Sequence, residues 1–309
     1  MMWLDKQRQE AMLKVDDAPL IAKHGLMKPL NFPKICFKQL ALEEGKIEMP
    51  KAEGILIADL NEALSVHAEA KRWFASTIKP ENVFSAFHLA YWKRGVFIHA
   101  PRDSCGEINL NSELSKSTTD HILIVADPGS KIIVNDIVTG NPEYAGKVVE
   151  IIAKDNSAVE FVSVNLMENT LLFNHKQAMT GNSSIVNWKE CIASGYATGK
   201  TITHLNGEGS STLMSGVYIG KASQFDIDCQ SVHNARKTTS IMGSKSALFE
   251  GKGMLTGLVK INSNAGESNG YQKSEVLLIG DNAEANAVPK LEIDNHDVKC
   301  SHSASVTRV

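Results

Sequence analysis

Four small turn clusters set the terms on which this chain can fold. Gly129-Ser-Lys, Asp155-Asn-Ser-Ala158, Gly181-Asn-Ser-Ser184 and Gly207-Glu-Gly-Ser210 begin 26 residues apart. Each is followed by a short β-rich run: Ile132-Ile-Val, Val159-Glu-Phe-Val, Ile185-Val-Asn-Trp and Thr212-Leu-Met. A fixed period of this size marks a solenoid, because one coil cannot bury its own apolar face and must stack on the next. With no helical pattern inside the period, the coil is a β-helix. Gly220-Lys-Ala-Ser, Gly243-Ser-Lys-Ser and Gly280-Asp-Asn-Ala keep the composition but lose the interval, which predicts insertions or a change of phase in the later coils. A β-sandwich also has frequent strands and turns, but it has no reason to repeat three intervals to the residue.

Upstream of residue 101 the pattern differs. Residues 1–53 read as an N-terminal extension, helical up to Lys14 and then punctuated by Pro19, Pro29, Pro33 and Pro50. Residues 54–100 read as an α/β region packing on the core. Ile55-Leu-Ile-Ala58 is a short strand, and Asp59 with Glu62 starts a helix running toward Trp73 and Phe74. After Pro80, Phe84, Phe87, His88 and Tyr91 share one helix face, with His88 expected as a satisfied core histidine. Gly95-Val-Phe-Ile-His-Ala-Pro101 is a strand closed by proline. Residues 101–309 form the β-helix core, so the fold class is mainly β with a small N-terminal α/β region.

Composition removes several functions. A net charge of -3 and no block of five basic residues exclude the field that nucleic-acid binding requires. No apolar run is long enough for a membrane span, and the first ten residues lack a signal-peptide core, so the chain reads as cytoplasmic. Cys36, Cys105, Cys191, Cys229 and Cys300 are odd in number and widely spaced, which fits reduced thiols rather than a disulfide framework. Ala197-Thr-Gly-Lys-Thr201 ends like a phosphate loop, but position 194, where the first glycine belongs, is Ser194.

Two places carry metal-capable or acidic side chains. In Leu291-Glu-Ile-Asp-Asn-His-Asp-Val-Lys-Cys-Ser-His302, a continuous strand would put Asp294, His296, Val298, Cys300 and His302 on one face. Thiolate and imidazole suit iron, zinc and copper, yet a Cys-x-His pair supplies at most half of a four-ligand site. Spacing alone leaves open that Cys300 is a small buried hydrophobe and His302 a surface residue. Asp226 and Asp228 form an i, i+2 carboxylate pair, which either serves acid/base or calcium chemistry or decorates a solvated face. His233 is equally undecided.

Several runs in order resemble the SufB/SufD family, the scaffold subunits of the SUF iron–sulfur cluster assembly system. They are Ala90-Tyr-Trp-Lys-Arg-Gly-Val-Phe-Ile98, the segment from Asp228 to Ser240, Gly257-Leu-Val-Lys-Ile261, Leu277-Leu-Ile-Gly280, and Pro289-Lys-Leu-Glu-Ile with Asp297-Val-Lys-Cys-Ser-His302. The likeness covers roughly Gly54 to the end and is strongest to SufD-type members. It implies a right-handed parallel β-helix and a dimer, with a SufB-like subunit or with itself, joined through the last strands. It also implies that His302 faces the partner's cluster-building cysteine and that Cys300 helps hold a transient iron–sulfur cluster. His296 is a further candidate metal ligand. A flavin in the full complex and a SufC-type ATPase belong to the same expectation. Two departures qualify it: Ser274 stands near the position of the SufB cluster cysteine, and the sequence reaches Val309 where family members continue into a helical domain that docks the ATPase.

The reading that follows is a non-enzymatic assembly subunit. Two alternatives stand beside it. One is a β-helix carbohydrate-active enzyme using Asp226 and Asp228, which would need an acid- and aromatic-lined groove although Trp188 is the sole solenoid tryptophan. The other is a purely structural partner in which Cys300 and His302 only pack.

Overall fold

A computed structural model describes residues 2–15, 35, 37–44 and 47–309. Pro19, Pro29, Pro33 and Cys36 therefore lie outside the described residues. The chain begins with helix α1 (Met2–Val15), followed by strand β1 (Leu56–Asp59) and helices α2 (Leu60–Val66), α3 (Ala68–Trp73) and α4 (Val83–Tyr91). Asp59 caps α2, its carboxylate accepting from the Glu62 N–H at 3.1 Å. Asn82 caps α4 in a reciprocal box with Ser85. Phe84 and Phe87 on α4 then pack against Phe173 and Tyr144 of the solenoid at ring separations of 5.6 and 5.8 Å.

From residue 94 onward the chain coils. The strands are β2 (Arg94–Ala100), β3 (Cys105–Leu114), β4 (Thr118–Ala126), β5 (Lys131–Gly140) and β6 (Tyr144–Ala153). Four long ones follow: β7 (Ala158–Thr180), β8 (Ile185–Leu205), β9 (Ser211–His233) and β10 (Thr239–Ile261). The last are β11 (Asn269–Leu278), β12 (Glu284–Ile293) and β13 (Lys299–Arg308). All pairings among β2 to β13 are parallel, and they build a β-solenoid of about eight turns. One stack runs β2, β4, β6, the second halves of β7 to β10, and β12. The other runs β3, β5, the first halves of β7 to β10, β11 and β13. The long strands bend round the corner between the stacks, with register shifts at Met167/Leu171, Ala193/Tyr196 and Leu248/Glu250.

The opposite corner explains the repeat. Each turn holds one residue in the left-handed region, in order Asp103, Gly129, Asn156, Ser183, Gly209, Lys237 and Glu267. Its N–H donates to a carbonyl of the next coil, as from Gly129 to Asp155 and from Gly209 to Arg236, both at 3.1 Å. The following residue is always Ser or Thr: 104, 130, 157, 184, 210, 238 and 268. From Ser130 on these are buried, and most hydroxyls bond the carbonyl three residues back, as in Ser157 to Lys154 at 2.6 Å. Where coils touch most closely only glycine fits. A Cβ on Gly207 would lie 2.0 Å from the Gly181 carbonyl carbon.

Side-chain bonds between neighbouring coils span 26 residues at Asn135 to Asn109 and 27 at Lys154 to Asp127. The span grows to 28 at Asn234 to Asn206, 30 at Ser244 to Ser274 and 32 at Lys260 to Glu292. The later loss of period is thus a lengthening of the coil, visible where the turn at 181–184 gives way to the longer 262–268. At the other end Ile47 and Ile55 are buried in the core cluster and close the solenoid below β3, while β1 pairs antiparallel with β2. Among the described residues no strand pairs the far side of β12 or β13.

Candidate functional site

Alternate residues of each strand point inward, and stacking turns them into columns. One column runs Val159, Val186, Thr212, Ser240, Gly270 and Cys300. The next runs Phe161, Trp188, Met214, Met242, Gln272 and His302. Every member before the last coil is buried, whereas Cys300 is half-buried and His302 is exposed. The two side chains leave one face of β13, about 7 Å apart along the strand.

Gly270 makes room for the thiol, since a Cβ there would sit 3.2 Å from Cys300 Sγ and 2.6 Å from Val259. Burial pushes the Cys300 thiol pKa up, opposed by the Ser301 N–H. The free chain therefore holds Cys300 as a thiol near neutral pH, and a metal or a cationic neighbour is needed to make the thiolate ligand. Beneath His302, Gln272 reaches across the interior and donates to the Lys290 carbonyl at 2.9 Å. Its amide oxygen occupies the space that a Cβ on Gly257 would need, 2.2 Å away. Ser274 follows in the next inward column and bonds Ser244 at 2.9 Å.

The longer row expected from the sequence is interrupted. β12 ends at Ile293 and β13 starts at Lys299, so Asp294 and His296 sit exposed in the turn while Cys300 and His302 alone share the strand face. A turn is needed here because every coil bends at this corner. Among the described residues no three His, Cys, Asp or Glu side chains converge to hold a metal ion. Asp226 is buried rather than on a solvated face, and Asp228 accepts from Gln230 at 2.6 Å. His233 is a core histidine: its ring nitrogens lie 2.7 Å from Thr238 and 2.9 Å from Ser240, and burial lowers its pKa to about 4. Trp188 is buried, its indole N–H donating to Thr203 at 2.9 Å.

A polar chamber inside the solenoid went unread in the sequence. Lys176 pairs with Glu190, which also accepts from Asn174 at 2.7 Å and from the Tyr218 hydroxyl at 3.2 Å. Cys229 lies beside them, its thiol pushed up to about 12 by burial and by the carboxylates of Glu190 and Asp228. A cavity of about 30 Å3, room for a water, lies between this cluster and Gln272 and Ser274. The missed signal was parity: Glu190 is two residues beyond inward-facing Trp188, so its carboxylate also points inward.

Fold and site define a parallel β-solenoid scaffold that carries a thiol and an imidazole on the inward face of its last strand. The chain belongs to the SufBD family of the SUF system for iron–sulfur cluster assembly: residues 108–309 match the SufBD core domain. It is 27% identical to the iron–sulfur cluster assembly protein SufD of Bacillus subtilis, over 84% of this chain and 63% of that protein. It is 24% identical to a SufBD family protein of Synechocystis, over 98% of this chain and 70% of that protein. The match to Bacillus subtilis SufB is 25%, over 84% of this chain and 59% of that protein. The chain thus spans less than two thirds of the length of either Bacillus relative. No helix among the described residues is long and apolar enough to cross a membrane.

Proposed function

We propose that this chain is a non-enzymatic, SufD-like assembly subunit whose last coil supplies half of a cluster-building site. The observation that carries this reading is the position of His302 and Cys300: both continue columns that are buried in earlier coils, but on β13, an edge strand among the described residues, Cys300 is only half-buried and His302 is exposed. A second subunit pairing along that edge would cover them and add the missing ligands. Thiolate and carboxylate groups from a SufB-type partner, or from a second copy, would complete a site for nascent iron and sulfide, which are cargo here rather than a resident cofactor. On the same reading His296, in the adjacent turn, is a peripheral ligand. The assembled complex includes a SufC-type ATPase and a flavin and works in the cytoplasm.

The test is anaerobic co-purification with the SufB-type partner, followed by iron and sulfide reconstitution. His302→Ala is expected to leave the dimer intact and to remove most of the cluster absorbance. Cluster yield equal to the native chain would mean that Cys300 and His302 only pack, and would move the chemistry onto the partner.

A further inference from the structure

A file of buried titratable groups lies between the helical layer and the outer face of the first stack, far from Cys300 and His302. Glu150 on β6 is fully buried and each of its oxygens holds two donors. Oε2 accepts from the Ala75 N–H at 2.6 Å and from His121 Nε2 at 3.0 Å. Oε1 accepts from the Thr77 N–H at 2.8 Å and the Thr77 hydroxyl at 2.6 Å. This grip fixes the bend after α3, where Ala75 adopts a left-handed φ of 51°.

The bonding order sets the tautomers. A neutral His121 that donates to Glu150 carries its proton on Nε2 and has an acceptor at Nδ1. His88 Nε2 lies 3.3 Å away on α4 and in that arrangement is the donor. His88 Nδ1 is then unprotonated, and it is fully buried and without a hydrogen-bond partner. His175 stands two coils along the same column from His121, also buried, and its Nε2 is likewise without a partner. Both rings thus keep a buried nitrogen that the docked layer shields from water.

We propose that this file is an acid-sensitive latch: neutral His88 and His175 let α4 and residues 75–77 lie on the solenoid, and protons taken up by the two rings release that layer while the coils stay paired. The charged surroundings offer these protons little help. Among the described residues His88 faces His121 and His175, and burial holds its pKa well below the ordinary 6.5. His175 faces Lys200 on β8, Glu81 before α4, Gln177 and Glu150, and burial followed by Lys200 brings it to about 4. Lys200 and Glu81 are already paired at 3.4 Å, Gln177 bonds His204, and α1 contributes Arg8, bound to the Trp92 carbonyl. Tyr144, buried beneath α4, stays neutral.

The sign follows directly. A histidine whose docked pKa is depressed favours docking fully above its ordinary value and loses that contribution as pH falls below it. At pH 5.5 a released histidine near 6.5 is protonated about ten to one, so each shifts the equilibrium toward release about tenfold and the pair about a hundredfold. Hydrogen exchange on the full chain at pH 7.5 and 5.5, corrected for intrinsic rates, reads this out. The expected result is a loss of protection of about a hundredfold across 75–91 with the histidine-free strand at 239–261 unchanged. In His88→Gln, whose amide can donate to His121 but takes no proton, the change should fall to about tenfold, and His175→Gln provides an independent second variant. Equal protection at both pH values, the same change in both variants as in the native chain, or loss at 75–91 only in step with the solenoid strands would each overturn the latch.

Discussion

Cys300 and His302 are two residues apart on one strand face, yet their surroundings differ. The thiol rests in the hollow left by Gly270, while the imidazole stands clear of the coil beneath it. Because burial raises its pKa, Cys300 should react with iodoacetamide more slowly at pH 7.5 than exposed Cys105, and its rate should climb steadily with pH. Site-resolved mass spectrometry checks this; a Cys300 rate matching that of Cys105 would mean the thiol is more open than its packing indicates. At this scale the sequence was only partly legible. The Lys-Cys-Ser-His run points to β13, but an uninterrupted extended backbone, which would put Asp294 and His296 on the same strand, is broken by the turn after Ile293. His88 was read as a satisfied core residue, and only one of its two nitrogens is. Which nitrogen a ring leaves unpartnered depends on tertiary neighbours such as His121, 33 residues on from His88, and no local pattern encodes that.

The element that repeats is the turn, and most of its physics is written locally. A left-handed residue followed by Ser or Thr needs little tertiary help to bend, which is why spacing of Gly, Asn and Ser revealed the coil. The close stacking of turns was not visible in the same way. Gly207 has no left-handed φ to require it; it is demanded by the backbone of Gly181 in the coil before. Gly207→Ala should therefore destabilise the chain by about 3 kcal/mol, as an overpacked contact with rigid backbone. Ser184→Ala, which removes one hydroxyl bond to the Gly181 carbonyl, should cost nearer 1 kcal/mol. Denaturant midpoints of the two variants rank the effects, and a reversed order would show that the coils can separate locally to admit a methyl group. The longer later coils defeated the period because insertions fall in turns, where the pattern of strands places no limit on length.

Taken as a whole, the solenoid is built of coils that contact chiefly their neighbours, so its two ends can differ without disturbing the middle. Both the β-helix and the small helical layer on its flank were legible from patterning, because a 26-residue rhythm and an amphipathic helix are one-dimensional signals. The polar chamber around Lys176 and Glu190 was not, because it is assembled from side chains brought together by coil stacking. The ends also differ in size: spans of 26 residues near β3 become 32 at β12. A coil of one size makes a poor seat for a coil of the other, and Ile47 and Ile55 already fill the narrow end. Copies of this chain should accordingly not polymerise head to tail. Sedimentation velocity over a wide concentration range should show discrete species, free chain and pair, and a continuous ladder of higher masses would contradict it. The mismatch of turns thus acts on stoichiometry: it makes association a reaction that terminates, because the end filled by Ile47 and Ile55 offers the β12–β13 end of another copy no seat.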